Sequence, residues 1–364
     1  MKKSLLIIGA FNNNNNIRGG IKTSCDALLN SKIKDEFELI LLDSTQISNP
    51  APNFFIRILF SVSRFLKLIF ILLANRPSYA LIFTADGPSF IEKSIFGNLC
   101  SAIGCSTFIF PRAGNLITQI NKSVMFAFLC RILSRRNKFF LCQGPSWVKF
   151  ANKDLGYDLD HIYVLPNWTA KIESFNQSKM KIDFHAATLK IIFVGWLERT
   201  KGVYELMHAF NALVMKGYNV ELSYIGGGKE LDSLQQLAKK LNISQKIYFH
   251  GWLDRENLFS ILNKHQLFVL PSWSEGMSNA VIEALSHGLT VITTRVGVMP
   301  DFFEDKKNVL FVDHGDIKDL TNALETLYID RYTLENIANE GKFLAQNLFN
   351  PDKIITELIN IIKQ

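Results

Sequence analysis

Short apolar runs recur along this chain, spaced so that a helix fits between each pair. In the first half SLLIIGA (4–10), FELILLD (37–43), YALIFT (79–84), STFIF (106–110), KFFLC (138–142) and HIYVL (161–165) are near-continuous rather than alternating. That is the pattern of strands covered on both faces of a parallel sheet. The regularity lapses over 170–188. It restarts with LKIIFVG (189–195), VELSYIGGG (220–228), KIYFH (246–250), LFVLPS (267–272), LTVITT (289–294) and NVLFVD (308–313). Strands separated by helix-length segments imply right-handed βαβ units. The pattern therefore predicts an α/β chain with two Rossmann-like, doubly wound parallel sheets. The first spans 1–170, a linker 171–188, the second sheet 189–349, and an amphipathic helix 350–364 closes the chain.

Length and composition agree with two cores. At 364 residues the chain exceeds one ordinary domain, and 48% hydrophobic with 20% charged residues is globular and not disordered. Met1-Lys2-Lys3 leads straight into a six-residue strand, too short for a secretory signal core. The five cysteines are odd in number, lack C-x-x-C spacing and sit among apolar neighbours, which reads as buried, reduced thiols of a cytoplasmic protein. No histidine spacing suits a metal, and none is expected.

The segment PSWSEGMSNAVIEALSHGLTVITT (271–294) carries the strongest chemical signal. It reads strand, turn, helix, strand, with Ser278 or Asn279 as helix cap and Gly288 as helix stop. Glu275 falls on the loop beyond a strand, and Glu283 about two turns inside the helix. Backbone N–H groups around Gly276, Met277, Ser278 and Asn279, together with the helix dipole, would attract phosphate. Two carboxylates beside an anion site suit a sugar whose leaving group is a diphosphate. A second loop, Gly195-Trp196-Leu197-Glu198-Arg199-Thr200-Lys201-Gly202, also joins a strand to a helical pattern. Lys201 offers a point charge, Arg199 forked donors and Gly202 close main-chain approach.

These two blocks together resemble the retaining glycosyltransferases of family 4, whose GT-B architecture sets two Rossmann-like domains facing a cleft. The similarity is strongest from about 190 to 316, including EGMSNAVIEAL, VGVMPDFFED and NVLFVDHGD. It extends to VLPNW (164–168) and to Gly19-Gly20, which looks like the family's N-terminal glycine loop. The resemblance implies that Glu283 binds the donor ribose, Glu275 the transferred sugar and Lys201 the leaving diphosphate. It places Gly20 beside the donor and sends the last helix back to the first domain. The family commonly has Arg where this chain has Trp196, so Arg199 is the candidate replacement.

Other signals weigh less. Gly226-Gly227-Gly228 lacks dinucleotide spacing and reads as a turn beside the nucleotide. HGWLDRENL (250–258) either frames the base or is a plain loop. Arg112, where family members often have histidine, either contacts a phosphate or acceptor or is structural. Residues 1–175 hold 20 Lys+Arg against 11 Asp+Glu, whereas the rest holds 20 against 22. Much of that excess lies in the apolar stretches 54–76 and 120–140. Arg57, Arg64 and Lys67 share one helical sector, which suits an interfacial helix better than a spanning one; packing on the sheet is the alternative. No nucleic-acid motif accompanies them.

The combined expectation is a metal-independent transferase without cofactor, using a UDP- or GDP-linked sugar donor. Its acceptor is a glycan or lipid-linked, it serves bacterial surface-polysaccharide assembly, and it is cytoplasmic with peripheral contact to anionic membrane. The alternatives are another GT-B nucleotide-sugar enzyme, such as an epimerase, or a catalytically silent partner subunit.

Overall fold

The computed structural model describes residues 2–11, 19–45, 52–169 and 182–364. The asparagine run 12–16 and most of the expected linker lie outside the described residues. The chain divides into two compact units, Met1–Lys171 with Asn350–Gln364, and Ile172–Phe349.

In the first unit six parallel strands are ordered β2-β1-β3-β4-β5-β6. They are β1 (Ser4–Gly9), β2 (Glu38–Asp43), β3 (Tyr79–Thr84), β4 (Ser106–Pro111), β5 (Phe139–Cys142) and β6 (Ile162–Val164). Inner strands are apolar throughout because both faces are covered: Leu5, Leu6, Ile7 and Ile8 of β1 are all fully buried. Edge strand β2 is half-exposed instead. Leu5, Ile7, Phe83, Phe110 and Trp168 share one core with Ile354, Ile355, Leu358 and Ile362. Those four lie on the helix Pro351–Lys363, which Pro351 opens and the Asn350 side chain caps. Each buried aliphatic contributes ~1.5–3 kcal/mol, so the end of the chain is an integral part of this unit's core.

The second unit repeats the plan with β7 (Leu189–Val194), β8 (Val220–Ile225), β9 (Ile247–Gly251), β10 (Leu267–Leu270), β11 (Thr290–Thr294) and β12 (Leu310–Val312). Their order is β12-β11-β10-β7-β8-β9. From β7 the chain builds outward through β8 to β9, then begins again at β10 on the other side of β7. Successive connections leave from opposite faces there, so a crevice opens beyond the carboxyl ends of β7 and β10. Both sheets are doubly wound, as the run of apolar segments predicts.

Candidate active site

The loops that follow β7 and β10 meet at that switch point. Arg199–Lys201 form a single 3₁₀ turn, and Gly202 follows in the left-handed region at φ +71°. A Cβ on Gly202 would stand 2.2 Å from the Pro271 carbonyl oxygen, so only glycine lets the loops close on each other. The Trp273 N–H donates to the Thr200 carbonyl at 2.9 Å. This contact brings Lys201 Nζ to 2.7 Å from Glu275 Oε1, which also accepts from Ser272 Oγ at 2.9 Å. A third loop backs the turn: the Val298 N–H donates to the Gly276 carbonyl at 3.1 Å. Gly297 (φ +59°) has space for no Cβ against the carbonyls of Glu275 and Gly276, each 2.2 Å away.

Immediately after this turn the helix Asn279–His287 begins. Ser278 is its cap, with Oγ accepting from the Val281 N–H, and Gly288 ends it in the left-handed region. Gly276, Met277, Ser278 and Asn279 thus occupy the helix mouth, where the dipole is positive. Glu283 is the fifth helical residue, one turn inside rather than the two expected. The residue keeps partial exposure. Burial nevertheless pushes its carboxyl up to about 7, against the opposing field of the Arg255 guanidinium. Arg255 opens the helix Arg255–Leu262, capped by Asp254.

Arg199 is not brought to the Lys201–Glu275 pair. Its side chain is 77% exposed, lies over the Tyr204 ring at 5.1 Å and has Nε 3.9 Å from Glu230. Glu230 also accepts from the Tyr204 hydroxyl at 2.6 Å. Trp196 meets Trp252 edge to face, ring centres 4.7 Å apart. The glycine triplet is stitched into its neighbours by main-chain bonds: Leu197 N–H to Gly227 O at 2.9 Å, and Gly226 N–H to Gly251 O at 2.8 Å. Its position braces the Gly195 loop.

In the first unit Gly20 opens the helix Gly20–Leu29 beyond β1. Arg112 follows β4 but is buried, with its guanidinium 4.7 Å from the Phe110 and Trp168 ring centres. Two supporting residues escape sequence reasoning. Ser272 fixes Glu275, and Arg255 acts on Glu283. Both stand inside segments singled out for other residues, and only the pairing of distant loops reveals them. Among the described residues no three His, Cys, Asp or Glu side chains cluster as metal ligands.

A carboxylate and an ammonium locked together beside a positive helix end can separate to meet a ligand carrying both hydroxyl donors and an anionic group. Comparison with known proteins narrows this chemistry. The chain is 26% identical over 257 residues to the lipopolysaccharide core biosynthesis glycosyltransferase LpsE of Rhizobium meliloti, covering 69% of this chain and 73% of that protein. It is 31% identical over 166 residues to the capsular polysaccharide biosynthesis glycosyltransferase CapM of Staphylococcus aureus. That match spans 46% of this chain and 43% of CapM. The structure of HepE from Anabaena in complex with UDP superposes with a TM-score of 0.74 over 99% of both chains at 14% identity, which places this fold among the GT-B architectures. Residues 175–343, within the second unit, match the family described as glycosyl transferases group 1.

Proposed function

We propose that this protein is a retaining glycosyltransferase that moves a sugar from a UDP- or GDP-linked donor to a glycan or lipid-linked acceptor. The setting is assembly of a bacterial surface polysaccharide at the inner face of the cytoplasmic membrane. The observation that carries the reading is the Lys201–Glu275 pair at the β7/β10 switch point. The bond from the sugar's anomeric carbon to the diphosphate oxygen breaks, and the acceptor oxygen bonds to the same face of that carbon. The acceptor proton passes to the departing diphosphate. Lys201 and the helix mouth at Gly276, Met277, Ser278 and Asn279 stabilise the charge growing on the leaving group. Glu275, fixed by Ser272, accepts sugar hydroxyls, and Glu283 accepts the ribose hydroxyls. With Lys201 in place no metal is required. Arg199 steadies the Glu230–Tyr204 corner of the loop.

The names of LpsE and CapM support the pathway class, and UDP bound to HepE supports the donor class. A thermal-shift screen of nucleotide sugars followed by NMR of the product tests the proposal. An α-linked donor giving an α-linked product is expected. Inversion at the anomeric carbon, epimerised donor without transfer, or no turnover with any donor would each overturn it.

A further inference from the structure

The least satisfied surface of the first unit is the helix Phe54–Asn75. Its 22 residues bury only Leu68 and Leu72. Eleven large apolar side chains on it are exposed, among them Phe55 at 77% and Leu73 at 75%. The helix also stands away from edge strand β2, leaving an open groove of about 910 Å³ lined by Leu42, Phe60, Leu66, Phe70 and Lys67. The shorter helix Val124–Ser134 of the same unit adds Val124, at 88% exposed, with Met125 and Phe128. Monomeric soluble proteins rarely leave so many large apolar side chains uncovered on one helix. Among the described residues no helix is long and apolar enough to cross a membrane.

Cations dominate the charges beside this surface; the one carboxylate lining the groove, Asp43 of β2, accepts from the Phe11 and Thr45 N–H groups. Neither helix contains an acidic residue, and none occurs anywhere between Glu92 and Asp154, a stretch with nine Lys and Arg. The carboxylate nearest the long helix, Glu92, is covered. It accepts from Ser61 Oγ at 2.6 Å, from Arg64 at 2.6 and 3.0 Å, and from Lys93. Burial alone would raise its proton affinity, yet these partners together hold it below the usual range. Arg64 is thus withdrawn into an internal cluster, contrary to the sequence expectation that it stands with Arg57 and Lys67. Those two remain exposed.

We infer that the Phe54–Asn75 and Val124–Ser134 helices dock the first unit on an anionic lipid surface, lying in its plane with Arg57 and Lys67 at the headgroups. This deepens the membrane setting proposed above by naming the surface. Apolar side chains enter the headgroup–acyl boundary, and uncovered cations meet lipid phosphate. A second copy of the chain is a poorer occupant, because matching faces would bring like charges together.

Flotation of the full-length protein with phosphatidylglycerol–phosphatidylcholine vesicles, at low and high salt, tests the inference. Wild type should bind anionic vesicles and release with salt. Arg57→Glu/Lys67→Glu, which leaves the Glu92 cluster intact, should bind at least tenfold more weakly. Phe55→Ser/Leu59→Ser/Phe70→Ser should lose binding in the same way with an unchanged Tm, since all three side chains are exposed. Absence of wild-type binding, or binding unaffected by either variant, overturns the inference. So does sedimentation showing a dimer that the apolar variant dissolves. Calorimetry of UDP and GDP binding without vesicles reads the transferase proposal separately. Nucleotide binding without vesicle binding would remove only the docking surface.

Discussion

Lys201 and Glu275 neutralise one another across the boundary between β7 and β10, 74 positions apart in sequence and 2.7 Å apart in space. Each occupies the other's binding capacity until a ligand supplies both an anion and hydroxyl donors. Lys201→Ala should lower turnover by about 10²–10³, the usual cost of losing one preorganised charge at a leaving group. Stability should barely move, because the ammonium is partly exposed and such pairs contribute ~0–1 kcal/mol. Steady-state rates and Tm of the purified variant check both halves. Near-normal turnover would remove Lys201 from the chemistry. Arg199→Ala, by contrast, should change turnover by no more than about twofold, since Arg199 faces Glu230 and Tyr204.

Glu283 and Glu275 should fail differently. A ribose contact persists from ground to transition state, so Glu283→Gln should weaken nucleotide binding, whereas Glu275→Gln should mainly lower kcat. The raised Glu283 carboxyl adds a pH signature. Only its ionised form accepts two hydroxyl hydrogen bonds, so nucleoside affinity should climb as pH rises through about 7. Stability runs the other way. The folded protein keeps a proton that the unfolded chain releases near 4.5, so this contribution is full below 4.5 and lost as pH rises through about 7. Glu283→Gln should flatten both profiles. Calorimetry with uridine and guanosine, which avoids titration of the phosphates, would reject the assignment if the wild-type profile were already flat.

How far the sequence foretells this site depends on the range of each interaction. The strands are legible because two-sided burial forces continuous apolar runs, and Ser278 with Gly288 bounds a helix by local capping chemistry. The loop positions of Lys201 and Glu275 are legible from the sequence, whereas Glu283 stands one turn inside its helix rather than two. What the sequence hides is pairing at a distance. Arg199 and Lys201 look equivalent on one loop, but a 3₁₀ turn sends them different ways. Arg64 looks like its neighbours Arg57 and Lys67 until Glu92, 28 positions away, claims it. Trp196 stands where the resemblance leads one to expect arginine, and its contact with Trp252 becomes visible only once the β7 and β9 loops lie side by side.

Chelation should leave transfer largely intact. Lys201 and the helix mouth already supply positive charge where the diphosphate is proposed to bind, so a divalent cation adds little there. Activity of EDTA-treated, desalted enzyme should stay within about twofold of untreated enzyme. Abolition by EDTA with recovery on adding Mg²⁺ or Mn²⁺ would overturn this expectation.

Arg112 poses a separate question, because its guanidinium is buried and has no carboxylate partner among the described residues. Nη2 donates to Ser24 Oγ at 2.5 Å, while Nε and Nη1 find no hydrogen-bond acceptor among the described residues. The Phe83, Phe110 and Trp168 rings surround the cation at 5.8, 4.7 and 4.7 Å. Desolvating a charge costs several kcal/mol, and desolvated cation–π contacts return ~2 kcal/mol each. These terms nearly cancel, so Arg112→Met, apolar and of similar reach, should leave unfolding free energy within about 1 kcal/mol of wild type at pH 7. Burial lowers the folded-state pKa to about 9, well below that of an arginine in the unfolded chain. The folded protein therefore releases this proton first, and wild type should gain on Arg112→Met as pH rises through 9. Urea titrations at pH 7 and 10 read that crossing. A loss well above 2 kcal/mol at pH 7, or a difference independent of pH, would mean that the cation is a net stabiliser. Loss of transfer at unchanged stability would instead assign Arg112 to acceptor recognition.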